Sequence, residues 1–223
     1  MKKILIAFAI TALIACKKSN GKIEEPTQIL ISINGSKTGN VIINGTSYAT
    51  VIIGKQTWTS INYNGLGGMI NPKSNPSNYG KYYTYKEAQS ITLPTGWRLP
   101  SEEDFNILMR NYDGSFAYGN TTNTNNEFAA INLMSKASWI IQGNKYIPDN
   151  LSGFNALAGG TYNVTFKYFM QEGYETGFWS LPYYKPFMIT NEFKIGVGTY
   201  HFYKGFTSSD PEARFNLRFV KDN

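Results

Sequence analysis

Short β-branched runs cut by Asn-Gly and Gly-Lys pairs constrain the fold of this chain more than any other feature. Ile29-Leu30-Ile31-Ser32-Ile33 runs into Asn34-Gly35. Val41-Ile42-Ile43 runs into Asn44-Gly45, and Tyr48 to Ile53 runs into Gly54-Lys55, after which Gln56-Thr57-Trp58-Thr59-Ser60-Ile61 begins again. β-branched and aromatic side chains suit a pleated, half-buried surface. Asn and Gly accept the positive φ that two-residue hairpin turns require, so the pattern predicts a β-meander in the N-terminal third. Only 16% of the 223 residues are charged, 42% are hydrophobic and 15% are aromatic. That balance excludes a charge-driven disordered chain and a coiled coil.

The middle of the chain changes period. Ser101-Glu102-Glu103-Asp104 carries capping-box positions after Pro100. Phe105, Leu108, Met109 and Tyr112 then recur on one helical face until Asp113-Gly114. A weaker helix is predicted from Asn126 to about Lys136, and a short turn of helix around Lys86-Glu87-Ala88-Gln89. Beyond Trp139 short strands return. Phe193 to Tyr203 alternates in part, and Arg214 to Val220 reads as a closing strand. Strands, then helices, then strands predict one α+β domain over residues 28–223.

The N-terminus reads as an address. Met1-Lys2-Lys3 is basic, and Ile4 to Ala15 is apolar apart from Thr11. That run is shorter than the roughly 20 residues a bilayer span needs and has the form of a secretory signal. Leu13-Ile14-Ala15-Cys16 resembles a bacterial lipobox, which makes Cys16, the one cysteine of the chain, the expected lipid-bearing residue. Residues 1–16 are then a lipoprotein signal and residues 17–27 a flexible tether. Loss of Lys2 and Lys3, with no acid in residues 1–16, leaves 19 basic against 15 acidic residues, a net +4. No basic stripe suggests nucleic acid. The expected partner is the membrane, reached through the lipid. The expected site is the outer membrane, with the side it faces left open.

Four segments carry a family resemblance. They are Ser47 to Trp58, then Tyr79-Gly80-Lys81-Tyr82-Tyr83-Thr84-Tyr85 with Pro94-Thr95-Gly96-Trp97-Arg98-Leu99-Pro100-Ser101, then Ser152-Gly153-Phe154-Asn155-Ala156-Leu157-Ala158-Gly159-Gly160, and finally Gly177-Phe178-Trp179-Ser180 with Leu217-Arg218-Phe219-Val220-Lys221-Asp222. In this order they resemble the major paralogous domain first named from Fibrobacter succinogenes, common in Bacteroidetes lipoproteins, over about residues 45–222. The resemblance implies the C-type-lectin-like arrangement of formylglycine-generating enzymes and carries no established activity. The chain departs from the pattern at Phe219, where many members have Cys, and at Ser180-Leu181-Pro182. With Cys16 committed to lipid, the cysteine chemistry of those enzymes does not extend to this chain. The bottom-up reading gives the shared residues packing roles. Trp97 and Leu99 seal a helix end, Phe154 is a buried aromatic beside sharp glycine turns, and Arg98 and Arg218 pair inside the fold.

Tests for chemistry return little. His201 is the only imidazole and no Gly-x-Ser-x-Gly elbow accompanies it. Glu102, Glu103 and Asp104 sit in one helical turn, which suits the helix dipole better than a facing carboxylate pair. No Glu-Pro-Asn or Gln-Pro-Asp signature favours calcium, and Gly65-Leu66-Gly67-Gly68 and Gly196-Val197-Gly198 lack the rest of a phosphate or dinucleotide loop. The expectation is a non-enzymatic protein without cofactor or metal. What remains is a surplus of aromatics: Tyr82-Tyr83, Tyr162, Tyr168-Phe169, Tyr174, Tyr183-Tyr184 and Phe187 exceed one core. Residues 181–188 read as an exposed, Pro-constrained loop, so Tyr183, Tyr184 and Phe187 are the expected contacts for a polysaccharide or partner protein. The alternative role is a structural component of an envelope complex.

Overall fold

Asn44 and Gly45 both take positive φ, 49° and 80°. This is the two-residue turn whose twist matches its flanking strands. It joins β1 (Thr38–Ile43) to β2 (Thr46–Ile53), with Ile43 opposite Thr46. A second tight turn at Gly54-Lys55 leads into β3 (Gln56–Thr59), with Ile53 opposite Gln56. The computed structural model describes residues 38–74, 79–112, 124–181, 185–194, 197–204 and 210–223. The expected strand at Ile29–Ile33 and the lipobox lie outside the described residues. The chain divides into two units at Ile31/Ser32, and all described residues belong to the second.

β4 (Tyr83–Thr84) runs straight into α1 (Tyr85–Gln89). Thr84 and Glu87 form a reciprocal capping box there, which the short-helix expectation at Lys86–Gln89 did not include. In α2 (Glu102–Arg110), Ser101 accepts from the Asp104 N–H while the Asp104 carboxylate accepts from the Ser101 N–H, as the sequence predicted. Phe105, Leu108 and Met109 turn into the core. α3 (Thr124–Leu133) begins and ends earlier than expected. Met134 forms a parallel bridge with Ala156, which draws the chain out of the helix.

The second half is built of small antiparallel sheets. β5 (Thr161–Asn163) pairs with β6 (Tyr168–Met170). β7 (Glu175–Ser180), β8 (Lys185–Lys194) and β9 (Val197–Lys204) form a meander. The expected closing strand at 214–220 is two strands in different sheets. β10 (Arg214–Phe215) pairs with β4, and β11 (Val220–Asp222) pairs with β3, giving a sheet of order β1-β2-β3-β11. Mixed α+β architecture with short antiparallel sheets is therefore the fold class. The segment expected to be an exposed loop at 181–188 is corrected in part: Lys185 opens β8 and Phe187 pairs with Phe178.

Two aromatic cores fill the unit. Trp58, Phe105, Phe154, Phe178 and Phe187 belong to one, and Tyr48, Tyr63, Tyr83, Trp179 and Phe219 to the other. Trp179 donates its indole N–H to the Tyr83 carbonyl at 2.7 Å. Phe219 meets Tyr63 edge-on, with centroids 5.4 Å apart, so this position is filled by an aromatic packed in the core. Arg218 is fully buried. Its guanidinium lies over Phe154 at 4.8 Å and over Phe178 at 5.4 Å. It donates to Asn62 Oδ1 and to the carbonyls of Thr59, Phe154 and Asn155, all within 2.9 Å. Burial pulls its pKa down to about 9, so it stays cationic at neutral pH. Arg98 also pairs as expected, with Asp104 at 2.8 Å and Asp222 at 2.9 Å.

Candidate functional site

The sequence-predicted site does not assemble among the described residues. Tyr183, Tyr184 and Cys16 lie outside them. Phe187 is 1% exposed and stacks on Phe105 with centroids 4.3 Å apart, so it is a core side chain. His201 stands on β9 in register with Thr190. Of the acidic run, Asp104 is buried and also accepts from Gln56 at 2.7 Å, while Glu103 pairs with Arg110 at 3.0 Å. These contacts hold α2 rather than form a facing pair. Among the described residues no three His, Cys, Asp or Glu side chains converge on a metal position, and no helix is long and apolar enough to cross a membrane.

On the β5–β6 hairpin two aromatics reach solvent, Phe166 and Tyr168; Phe128 on α3 is also exposed, packed on Tyr146. Successive strand residues point to opposite faces. Tyr162 and Phe169 are a cross-strand pair on one face, with rings 5.2 Å apart, and Phe169 packs on Tyr82 at 4.7 Å. That face anchors the hairpin. The opposite face carries Tyr168, 47% exposed, across from Asn163. Phe166 at the tip is 67% exposed, and its ring centroid lies 5.9 Å from that of Tyr168 with planes 33° apart.

The tip has a defined shape. The Asn163 side-chain oxygen accepts from the Phe166 N–H three residues on at 2.9 Å, which ties the loop to the end of β5. Lys167 takes φ of 56°, the left-handed conformation that ends the loop and returns the chain to β6. The base is equally held. A Cβ on Gly160 would stand 2.2 Å from the Met170 carbonyl oxygen, so only glycine allows the strands to close there. Past β6, Glu172 accepts from the Ser74 hydroxyl and from the Asn71 amide at 3.3 Å. Burial, and then the Glu172 charge and hydrogen bond, push the Tyr79 phenol above its ordinary pKa. Burial, with the charge of Glu172 and then Tyr79, pushes the Tyr82 phenol far higher. It therefore stays neutral and donates to the Gly159 carbonyl.

This arrangement offers two exposed rings on a packed mount, with Asn163 across from Tyr168 and Lys167 next to both rings in sequence. Such a surface can bind. Sequence reasoning named Tyr162, Tyr168 and Phe169 as surplus aromatics but missed Phe166 and Lys167. The available signal was Asn163, a turn former, placed between two aromatic-rich runs of strand length.

The model of the Fibrobacter succinogenes major domain matches residues 51–221, from within β2 to within β11. No curated protein and no solved structure gives a significant match. With the match covering most of the chain and reaching both cores and the hairpin, the protein belongs to the Fibrobacter succinogenes major domain family.

Proposed function

We propose that this protein is a non-enzymatic, lipid-anchored lipoprotein of the outer membrane whose C-type-lectin-like domain binds an extracellular ligand, a polysaccharide or a partner protein, through the β5–β6 hairpin. The observation that carries the reading is the division of aromatics between the two hairpin faces: one pair is packed on Tyr82, while Phe166 and Tyr168 are turned to solvent. Exposed rings normally cost solubility, and a rigid mount beneath them removes the entropy that ordering would otherwise cost a binding site. The lectin-like part of the reading is supported by the pairing of β3 with β11, which joins segments far apart in sequence, with Trp58 opposite Val220. The anchor is supported by the basic, apolar and Cys16 sequence of residues 1–16.

The test is a glycan array probed with the full chain in detergent micelles, in calcium and in chelator. Saturable binding that survives chelation and is lost in the Phe166→Ala/Tyr168→Ala double variant is the expected result. Equal binding by wild type and double variant would sink the hairpin as the site. Dependence on calcium would overturn the metal-free reading.

A further inference from the structure

We propose that the hairpin tip holds an extended acidic polysaccharide, with two successive sugar units stacked on Phe166 and Tyr168 and an acidic group of the chain paired with Lys167. This rests on the reading of the hairpin as a ligand site and names the class of ligand. Three observations converge on it. The first is spacing. The two exposed ring centroids are 5.9 Å apart, near enough for neighbouring units of one sugar chain to reach both, and the C–H faces of sugars pack on the electron-rich faces of aromatic rings.

The second is charge. Lys167 lies between the two rings in sequence, is the only charged residue in 161–170, and has no ion-pair partner among the described residues. The tip thus carries a cation and no acid, the complement of a carboxylate or sulfate ester. The nearest acid along the chain, Glu172, is tied to Ser74 and Asn71 at the hairpin base.

The third is size. A stable protein–protein contact buries roughly 800 Å² on each partner. Two partly exposed rings supply on the order of 200 Å² of ring surface. That suits two sugar units better than a protein face.

The experiment is titration calorimetry on the full chain in detergent micelles. The probes are galacturonate as monomer, dimer and hexamer, a sulfated hexasaccharide, and neutral cellohexaose. The acidic hexamers should bind at least fivefold tighter than cellohexaose, and galacturonate hexamer at least tenfold tighter than its monomer. Preference between carboxylate and sulfate is read from the two acidic hexamers. Lys167→Gln should bring acidic and neutral hexamers to the same affinity. Phe166→Ala and Tyr168→Ala should each weaken the hexamer about tenfold, with an unchanged thermal midpoint. If cellohexaose binds as tightly as the acidic hexamers and Lys167→Gln changes nothing while the two ring substitutions still weaken binding, the acidic class is wrong and the hairpin stands. Saccharide binding that none of the three substitutions alters would remove the hairpin itself, and no binding to any probe would overturn the acidic-polysaccharide proposal.

Discussion

Arg218 lies over the rings of Phe154 and Phe178 and pairs with no carboxylate among the described residues, and carbonyl dipoles and one amide oxygen do the work of a counter-ion. A buried cation of this kind is tolerable only because its donors are spread over several fixed acceptors. Removing it leaves those acceptors without donors and opens a cavity. Arg218→Ala should therefore cost roughly 3–5 kcal/mol. Arg218→Lys should cost about 2 kcal/mol, since an ammonium cannot reproduce the planar fork. Urea unfolding midpoints at unchanged slope measure both. A loss under about 1 kcal/mol for the alanine variant would mean the network is not a keystone. The sequence marked Arg218 as an internally pairing residue. It did not reveal which acceptors, because Thr59, Asn62, Phe154 and Asn155 converge only once the fold exists.

At the scale of elements, local signals with a defined geometry were the legible ones. The Asn44-Gly45 turn and the Ser101/Asp104 capping box are decided by a handful of adjacent residues, and both appear as read. The Thr84/Glu87 box was missed because five residues give too short a window for helical periodicity. The part of 181–188 from Lys185 on was misread because Pro182 and Pro186 suggest a loop, while pairing across to β7 places Phe187 in the core. The α1 box also sets a pH response. Burial raises the Glu87 carboxyl, but the Thr84 N–H and hydroxyl, the Arg214 guanidinium and the Gly68 N–H outweigh it, and the pKa lies below the ordinary value. A carboxyl held lower in the fold than in the unfolded chain stabilises above the unfolded pKa. That stabilisation is lost as pH falls through the folded pKa. Wild type should thus melt higher than Glu87→Gln at pH 7, and the gap should close as pH falls below the ordinary carboxyl range. A gap that persists at pH 2 would contradict this assignment.

Across the whole molecule, aromatic packing and backbone-directed hydrogen bonds replace the charges and disulfides the chain lacks. Composition foretold that balance, and it foretold that some aromatics would remain outside the cores. It could not sort them, because the sorting depends on which hairpin face meets Tyr82. The anchor proposal also belongs to this scale. Cys16→Ser should abolish incorporation of labelled palmitate and release the protein from the membrane fraction, while leaving the thermal midpoint of the domain unchanged. Retention of label in the variant would show that Cys16 is not the lipid-bearing residue.

The account turns on the hairpin as the place where the domain meets its ligand. Hydrogen exchange of the full chain, with and without the glycan that binds best on the array, locates that place without any substitution. The account predicts new protection confined to residues 161–170, centred on Phe166 to Tyr168. Protection that leaves the hairpin unchanged and appears instead over residues 181–188 would contradict it and return the site to Tyr183 and Tyr184.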